Sequence, residues 1–136
     1  MMNDELRGVP VLVHPELRND PAQRQNEVGL VSYTDLANDE IFVQFLDGGQ
    51  GLYATDALLV FKPIGQIQGF LTEVGPHFAA TNLKALTQIE LLLHYGSGEQ
   101  HMVAMHLTQS NPAIQPWCLE TLEHKIAMEQ NQNVQR

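Results

Sequence analysis

The sequence contains a single cysteine, Cys118, so an intrachain disulfide is excluded. Its longest uninterrupted apolar run, Ala57–Phe61, is five residues long, far too short to span a membrane. Near the start, the only apolar stretch is Val9–Val13, which is interrupted by Pro10 and lacks the basic flank of a signal peptide. These features predict a cytoplasmic protein without a membrane partner.

Positive charge is also scarce. Seven Lys/Arg stand against sixteen Asp/Glu, and the net charge is −9. Residues 1–62 hold ten acidic and four basic residues, and residues 63–136 hold six and three. Because nucleic-acid affinity comes mainly from Lys and Arg on phosphates, and neither half has a basic stripe, the composition argues against direct nucleic-acid binding.

What is present is an ordinary globular composition, 43% hydrophobic over 136 residues, with β-type alternation in the first half. A polar connection at Pro15–Glu27 and the hairpin signal Asp47-Gly48-Gly49 separate the apolar stretches. The predicted strands are Gly8–His14, Val28–Thr34, Glu40–Leu46, Gly51–Thr55 and Leu58–Lys62. Five short strands in about 55 residues, with one long loop, predict a small closed barrel over residues 1–62.

The order of these segments resembles a known fold. Gly-x-x-Val-x-Val, a polar loop, Val-Gly-x-Val, a turn, Ile-x-Val-x-Phe-x-Asp-Gly-Gly and Leu-Leu-x-Phe are similar to a bacterial SH3-like barrel. The resemblance covers residues 7–62 and extends more loosely to bacterial proteins of unknown function in which a helical tail follows the barrel. It implies an α+β fold and specifies no function.

From Pro63 the apolar spacing becomes helical, which predicts a helical segment of three to four helices over residues 63–136. The first helix is predicted at Ile64–Val74, and the second at Asn82–Tyr95 with Thr81 as its N-cap. Ser97-Gly98-Glu99-Gln100 fits a capping box for a third helix ending near Gln109. Pro116 is predicted to open the last helix, whose buried stripe comprises Leu119, Leu122 and Ile126.

Candidate catalytic and metal-binding residues carry little signal. His101 and His106 are five positions apart, so on a straight helix they do not share a face and cannot chelate one ion. Cys118 borders the predicted apolar stripe, which favours a packing role over a nucleophilic one. The sequence also contains none of the common phosphate-binding or nucleophile motifs. We therefore predict no catalytic residue, cofactor or metal.

The leading hypothesis is a non-catalytic interaction protein whose partner is another protein or a second copy of itself. Its surface is expected in the loop Pro15–Glu27, around two tyrosines, and at the start of the helical segment. The candidate residues are Leu17, Arg18, Arg24, Tyr33, Tyr53 and Phe70. Two alternatives stay open: an RNA- or ribonucleoprotein-associated SH3-like barrel, and a small enzyme that uses Cys118 or a histidine.

Overall fold

The computed structural model of the chain describes residues 3–134 and has an α+β fold, as the sequence predicts. Six strands form one sheet in the order β4-β3-β2-β1-β5-β6. They are β1 (Pro10–Val13), β2 (Val28–Asp35), β3 (Glu40–Phe45), β4 (Gln50–Tyr53), β5 (Leu58–Phe61) and β6 (Leu119–Thr121). All five predicted strands are therefore present, and β6 is an addition that the sequence pattern did not indicate.

The predicted closure of the barrel is not confirmed. Across residues 3–134, β4 and β6 each have one strand neighbour, so the sheet is open and these two strands form its edges. Strands β1–β2, β1–β5, β2–β3 and β3–β4 pair in antiparallel register. The strand count is six rather than five because Leu119–Thr121, predicted as part of a helix, adopts an extended conformation.

The strands form because their apolar residues alternate. In β3, Ile41, Val43 and Phe45 are buried, whereas the residues between them are more exposed. This period of two places one apolar face of the strand against the core. The core cluster draws on every strand from β1 to β5 and on the last helix; its members are Leu6, Val11, Val13, Val31, Ile41, Val43, Phe45, Tyr53, Ala57, Leu58, Val60 and Leu122.

Contacts divide the chain into two compact units. We call Met1–Val60 together with Glu120–Arg136 the sheet unit, and Phe61–Leu119 the helical unit. This division differs from a boundary at residue 62, because the last helix groups with the strands through Leu122 and Ile126. The sheet unit holds thirteen Asp/Glu and five Lys/Arg, a net charge of −8, and the helical unit holds three and two, a net charge of −1.

Five α-helices follow β5 within residues 3–134, rather than the three to four that the sequence pattern predicts. They are α1 (Ile64–Glu73), α2 (Ala80–Tyr95), α3 (Gly98–Gln109), α4 (Gln115–Cys118) and α5 (Leu122–Val134). The predicted bounds of α1 and α3 are confirmed to within a residue, and the Gln100 side-chain carbonyl accepts from the Ser97 backbone N–H at 2.8 Å, as expected of a capping box. Among the helices of residues 3–134, none combines the length and apolar character of a membrane span.

Two details of the predicted helices are wrong. Thr81 lies inside α2, and the N-cap position is Ala79. The single last helix is divided: Pro116 lies in the one-turn α4, Leu119 begins β6, and only Leu122 and Ile126 belong to α5. The predicted helix is interrupted because Leu119–Thr121 lies beside β5 as a strand of the sheet.

Candidate functional site

Three large apolar side chains form a continuous row across the outer face of the sheet. Tyr33 of β2 is opposite Phe42 of β3, and Phe42 is opposite Leu52 of β4. Directly opposed residues of paired strands project to the same face. We call Tyr33, Phe42 and Leu52 the apolar row; it runs from the middle of the sheet to the edge strand.

The row is accessible. Tyr33 is 55% exposed and Leu52 is 48% exposed, whereas the inner-face neighbours Ile41 and Val43 are fully buried. The rings of Tyr33 and Phe42 have centroids 5.7 Å apart with their planes tilted by 60°, a favourable aromatic contact. Phe42 is half-buried between its two neighbours, so the row presents one joined apolar surface rather than isolated side chains.

A β-bulge places Tyr33 on this face. The register between β2 and β3 shifts between Val31 and Tyr33, and the Ser32 hydroxyl donates to the Phe42 carbonyl at 3.1 Å. Val31 and Thr34 are both buried, which strict alternation does not allow for residues three apart. At the bulge β2 has one more residue than β3, which shifts its inward–outward alternation by one position. Thr34 therefore faces the core and Tyr33 faces outward.

An acidic pair lies beside the row on the same face. Asp35 is opposite Glu40, the next outer-face pair after Tyr33 and Phe42 in the direction of the connecting turn. Asp35 also caps the short helix that follows: its carboxylate accepts from the Asn38 backbone N–H at 3.4 Å and from the Asn38 side-chain amide at 2.7 Å. The outer face therefore combines apolar contact area with negative charge.

The edge strand β4 completes this surface. An edge strand exposes the backbone N–H and C=O groups that its single neighbour does not bind. Such edges are commonly protected by lysine or proline, but the β4 sequence Gln50-Gly51-Leu52-Tyr53 contains neither and carries no charge. An apolar row that ends at an unprotected edge is the arrangement to which another extended segment can be added.

The predicted loop Pro15–Glu27 is anchored to the sheet unit by Asp20. The Asp20 carboxylate is buried and accepts from the backbone N–H groups of Ala22 and Arg24 at 2.9 and 2.8 Å. It also accepts from the Tyr53 hydroxyl. Tyr53 is thus buried on the inner face, 5% exposed, and does not line a surface as predicted from the sequence.

Arg24 is held in place by three neighbours. Its guanidinium bonds to Asp47 at 2.7 Å and to Glu27 at 3.1 Å, and it lies 4.7 Å from the centroid of the Phe45 ring. The hydrogen bond from Arg24, together with one from the Gly49 backbone N–H, lowers the pKa of the Asp47 carboxyl. Arg24 therefore ties the loop to the β3–β4 hairpin instead of offering a free positive charge.

The contacts given for the other predicted surface residues, Leu17, Arg18 and Phe70, do not involve the apolar row. Leu17 is half-buried and packs against the core cluster, and Arg18 is exposed on the loop. Phe70 belongs to the helical unit, where its ring meets Trp117 edge-on at 5.2 Å and the Lys62 ammonium lies 5.0 Å from its centroid. Of the six candidates, Tyr33 alone belongs to the apolar row.

The helical unit has an apolar groove of its own where α2 turns into α3. It has a volume of about 500 Å³ and is lined by Leu91, Leu92, Tyr95, Gly96, Ser97 and Gln100. Tyr95 is 77% exposed and Leu91 is 47% exposed. The groove provides a comparison surface in the other unit, similar in exposure to the apolar row.

Cys118 is fully buried at the end of α4. Burial raises the pKa of its thiol to about 12, and the positive charge of Lys62 acts in the opposite direction with a smaller effect. Since the thiolate is the nucleophilic form, the raised pKa and the burial of the thiol both disfavour its reaction at neutral pH. The sequence placed Cys118 near a helix N-terminus, but in α4 it is the last residue.

The histidines do not assemble into a metal centre in the part of the chain that the structure describes. Within residues 3–134, no three His, Cys, Asp or Glu side chains are grouped so that they could hold a metal ion. His94 and His124 instead contact carboxylates four positions earlier in the chain, Glu90 at 3.3 Å and Glu120 at 2.8 Å. The Nε2 atom of His101 is buried and has no hydrogen-bond partner among residues 3–134.

Comparison of this chain with protein-family models, with curated proteins and with solved structures finds no match.

Phe42 and Leu52 are not among the six candidate residues, although the sequence contains a signal for Phe42. Phe42 lies between Ile41 and Val43, which are both buried, whereas Leu52 lies between the half-buried Gly51 and the buried Tyr53 and carries no such signal. In a strand that is buried on one face, an apolar residue out of phase with the core projects to the opposite face. Phe42 can be identified in this way once the inner face of β3 is assigned.

Proposed function

We propose that this chain is a non-catalytic protein-interaction module and that the apolar row is its binding surface. The observation that carries the proposal is the opposed series Tyr33–Phe42–Leu52, which crosses three strands and ends at the edge strand β4. Exposed apolar side chains are common singly, but a joined row of this kind is characteristic of surfaces that bind other proteins. Aromatic residues are also enriched at such surfaces.

The proposal extends to the fold of the strands. Strands β1–β5 are proposed to form an SH3-like barrel that is open at one side. In support, all five contribute side chains to one core cluster, and a short helical turn, Thr55–Ala57, connects β4 to β5. An experimentally determined structure tests this: a flat sheet in which β4 and β5 share no core would contradict it.

The function is tested by affinity capture from a native lysate with the full chain as bait. Leu52→Ser removes the outer end of the row, and Leu91→Ser is the matched control, because the two leucines are 48% and 47% exposed in different units. Captured proteins are identified by mass spectrometry with and without nuclease. Both variants are first compared with the wild type by circular dichroism and thermal melting.

The expected result is a protein retained by the wild type and by Leu91→Ser, lost with Leu52→Ser, and unaffected by nuclease. Equal capture by all three baits would contradict the apolar row as the binding surface. Ribosomal or polymerase subunits that disappear with nuclease would instead support an RNA-associated protein. Turnover of a small molecule by the purified chain would contradict the non-catalytic assignment.

A further inference from the structure

The apolar row and the edge strand β4 together define what kind of segment fits them. A segment added along β4 would hydrogen-bond to its free backbone edge and place alternate side chains on the outer face, continuing the rows of the sheet. One such side chain would lie beside Leu52 and extend the apolar row. This inference rests on the proposed function and specifies the chemistry of the partner.

The charge of the sheet unit indicates which partner residue fits next to the apolar one. The sheet unit carries −8 of the net charge of −9. Asp35 and Glu40 form the next outer-face pair after Tyr33 and Phe42. Arg24, a loop residue that contacts the β3–β4 hairpin, is engaged by Asp47 and Glu27. A basic partner residue is therefore favoured at this end of the row.

The register places Glu40 of the acidic pair within reach of a segment added along β4. The register pairs Ile41 with Tyr53, so its continuation by one residue places Ala54 beside Glu40. Two strand spacings, about 10 Å, separate β3 from a strand added outside β4. The small side chain of Ala54 leaves room for a long Lys or Arg side chain to cross toward the Glu40 carboxylate.

We infer that the apolar row binds an extended segment of a partner protein in which a basic and an apolar residue are two positions apart. Residues two apart in a strand share a face, so the apolar one lies beside Leu52 and the basic one beside Ala54. A second copy of this chain is the competing occupant. The charge of −8 on each sheet unit opposes that pairing.

Two synthetic peptides of identical composition test the spacing. In Lys-Thr-Val-Thr-Lys-Thr-Val the lysines and valines share one face of a strand, whereas in Lys-Val-Thr-Thr-Lys-Val-Thr they lie on opposite faces. Each is titrated into the ¹⁵N-labelled full chain at low ionic strength. We expect the first peptide to shift the amide resonances of Gln50–Tyr53 and of Tyr33 and Phe42, and to bind several-fold more tightly than the second.

Substitution of Glu40 tests the charge. Glu40→Gln is expected to weaken binding of the first peptide roughly 2–5-fold, the range of an exposed ion pair, and Glu40→Lys more strongly. Glu99→Gln, the same change on α3 of the helical unit, is the matched control and is expected to leave affinity unchanged. Affinity should fall with added salt.

Several results would overturn the inference. These are shifts confined to the helical unit, equal affinity for the two peptides, no binding at millimolar peptide, or insensitivity to Glu40→Lys. Concentration-dependent dimerisation in sedimentation that is lost in Leu52→Ser would assign the surface to a second copy. If Leu52→Ser abolishes partner capture while Glu40→Lys does not, the partner's charge is wrong and the proposed function stands.

Discussion

The phenolic oxygen of Tyr53 lies 3.2 and 3.0 Å from the two carboxylate oxygens of Asp20, a residue 33 positions earlier in the chain. Both side chains are buried. The contact joins the inner face of β4 to the long loop between β1 and β2. It gives the buried Tyr53 hydroxyl an acceptor and links the loop to β4.

Asp20→Ala is therefore expected to lower the free energy of unfolding by about 1–3 kcal/mol, because the Tyr53 hydroxyl and the loop N–H groups lose their acceptor. Tyr53→Phe removes only the donor and should cost about 0.5–1.5 kcal/mol. Urea unfolding measures both. Glu16→Ala, at an exposed position of the same loop, is the control and should change stability by less than about 0.5 kcal/mol. Asp20→Ala behaving like Glu16→Ala would contradict the anchoring role.

The Arg24–Asp47 contact is expected to be visible in the titration of Asp47. The hydrogen bond from Arg24 holds the pKa of the Asp47 carboxyl below its ordinary value. Arg24→Gln should raise this pKa in a carboxyl NMR titration, but only in part, since the Gly49 N–H still donates to the carboxylate at 2.9 Å. Arg18→Gln, an exposed arginine of the same loop, should leave the Asp47 titration unchanged. An unchanged Asp47 pKa in Arg24→Gln would contradict the contact.

The buried thiol of Cys118 predicts a loss of stability at alkaline pH. Burial raises the pKa of Cys118 to about 12 in the folded chain, whereas a cysteine in the unfolded chain has a pKa of about 8.5. Between these values the folded state binds more protons than the unfolded state, so the free energy of unfolding falls as pH rises. Below about pH 8 this contribution is constant.

Cys118→Ala removes that titration, so its free energy of unfolding should fall less steeply than that of the wild type between about pH 8 and 10.5. Urea unfolding with a reductant present measures both slopes. The native thiol should also react with a disulfide reagent far more slowly than the unfolded chain does. Equal pH slopes, or rapid labelling of the native chain, would show that Cys118 is accessible.

Substitution by alanine is expected to change the free energy of unfolding in opposite directions at two glycines. Gly48 has φ +88 in the β3–β4 hairpin, where an L-residue is strained, so Gly48→Ala should cost about 1–2 kcal/mol. Gly69 lies inside α1 with open space where a methyl group would project, so Gly69→Ala should stabilise the chain by about 0.5–1 kcal/mol. Thermal melting measures both effects: the melting temperature should fall in Gly48→Ala and rise in Gly69→Ala. A stabilising Gly48→Ala would contradict the positive φ.

Strands β1–β5, the Asp47-Gly48-Gly49 hairpin and the capping box of α3 were all predictable from the sequence. Their signals are local: period-two alternation, glycine at a turn, and Ser97 three positions before Gln100. The last helix was mispredicted for the opposite reason. Leu119, Leu122 and Ile126 have helical spacing, but the place beside β5 draws Leu119–Thr121 into the sheet.

The candidate site shows the same division. Residue identity alone established that β2–β4 are rich in apolar residues and that the chain is acidic. It left open which of Leu52 and Tyr53 faces the core, because adjacent apolar residues in a strand satisfy either phase. Pairing with β3, the Asp20–Tyr53 contact and the bulge before Tyr33 decided this: they placed Tyr53 inside and Tyr33, Phe42 and Leu52 in one exposed row. That choice required the assembled sheet, because strand register is set by partners distant in the sequence.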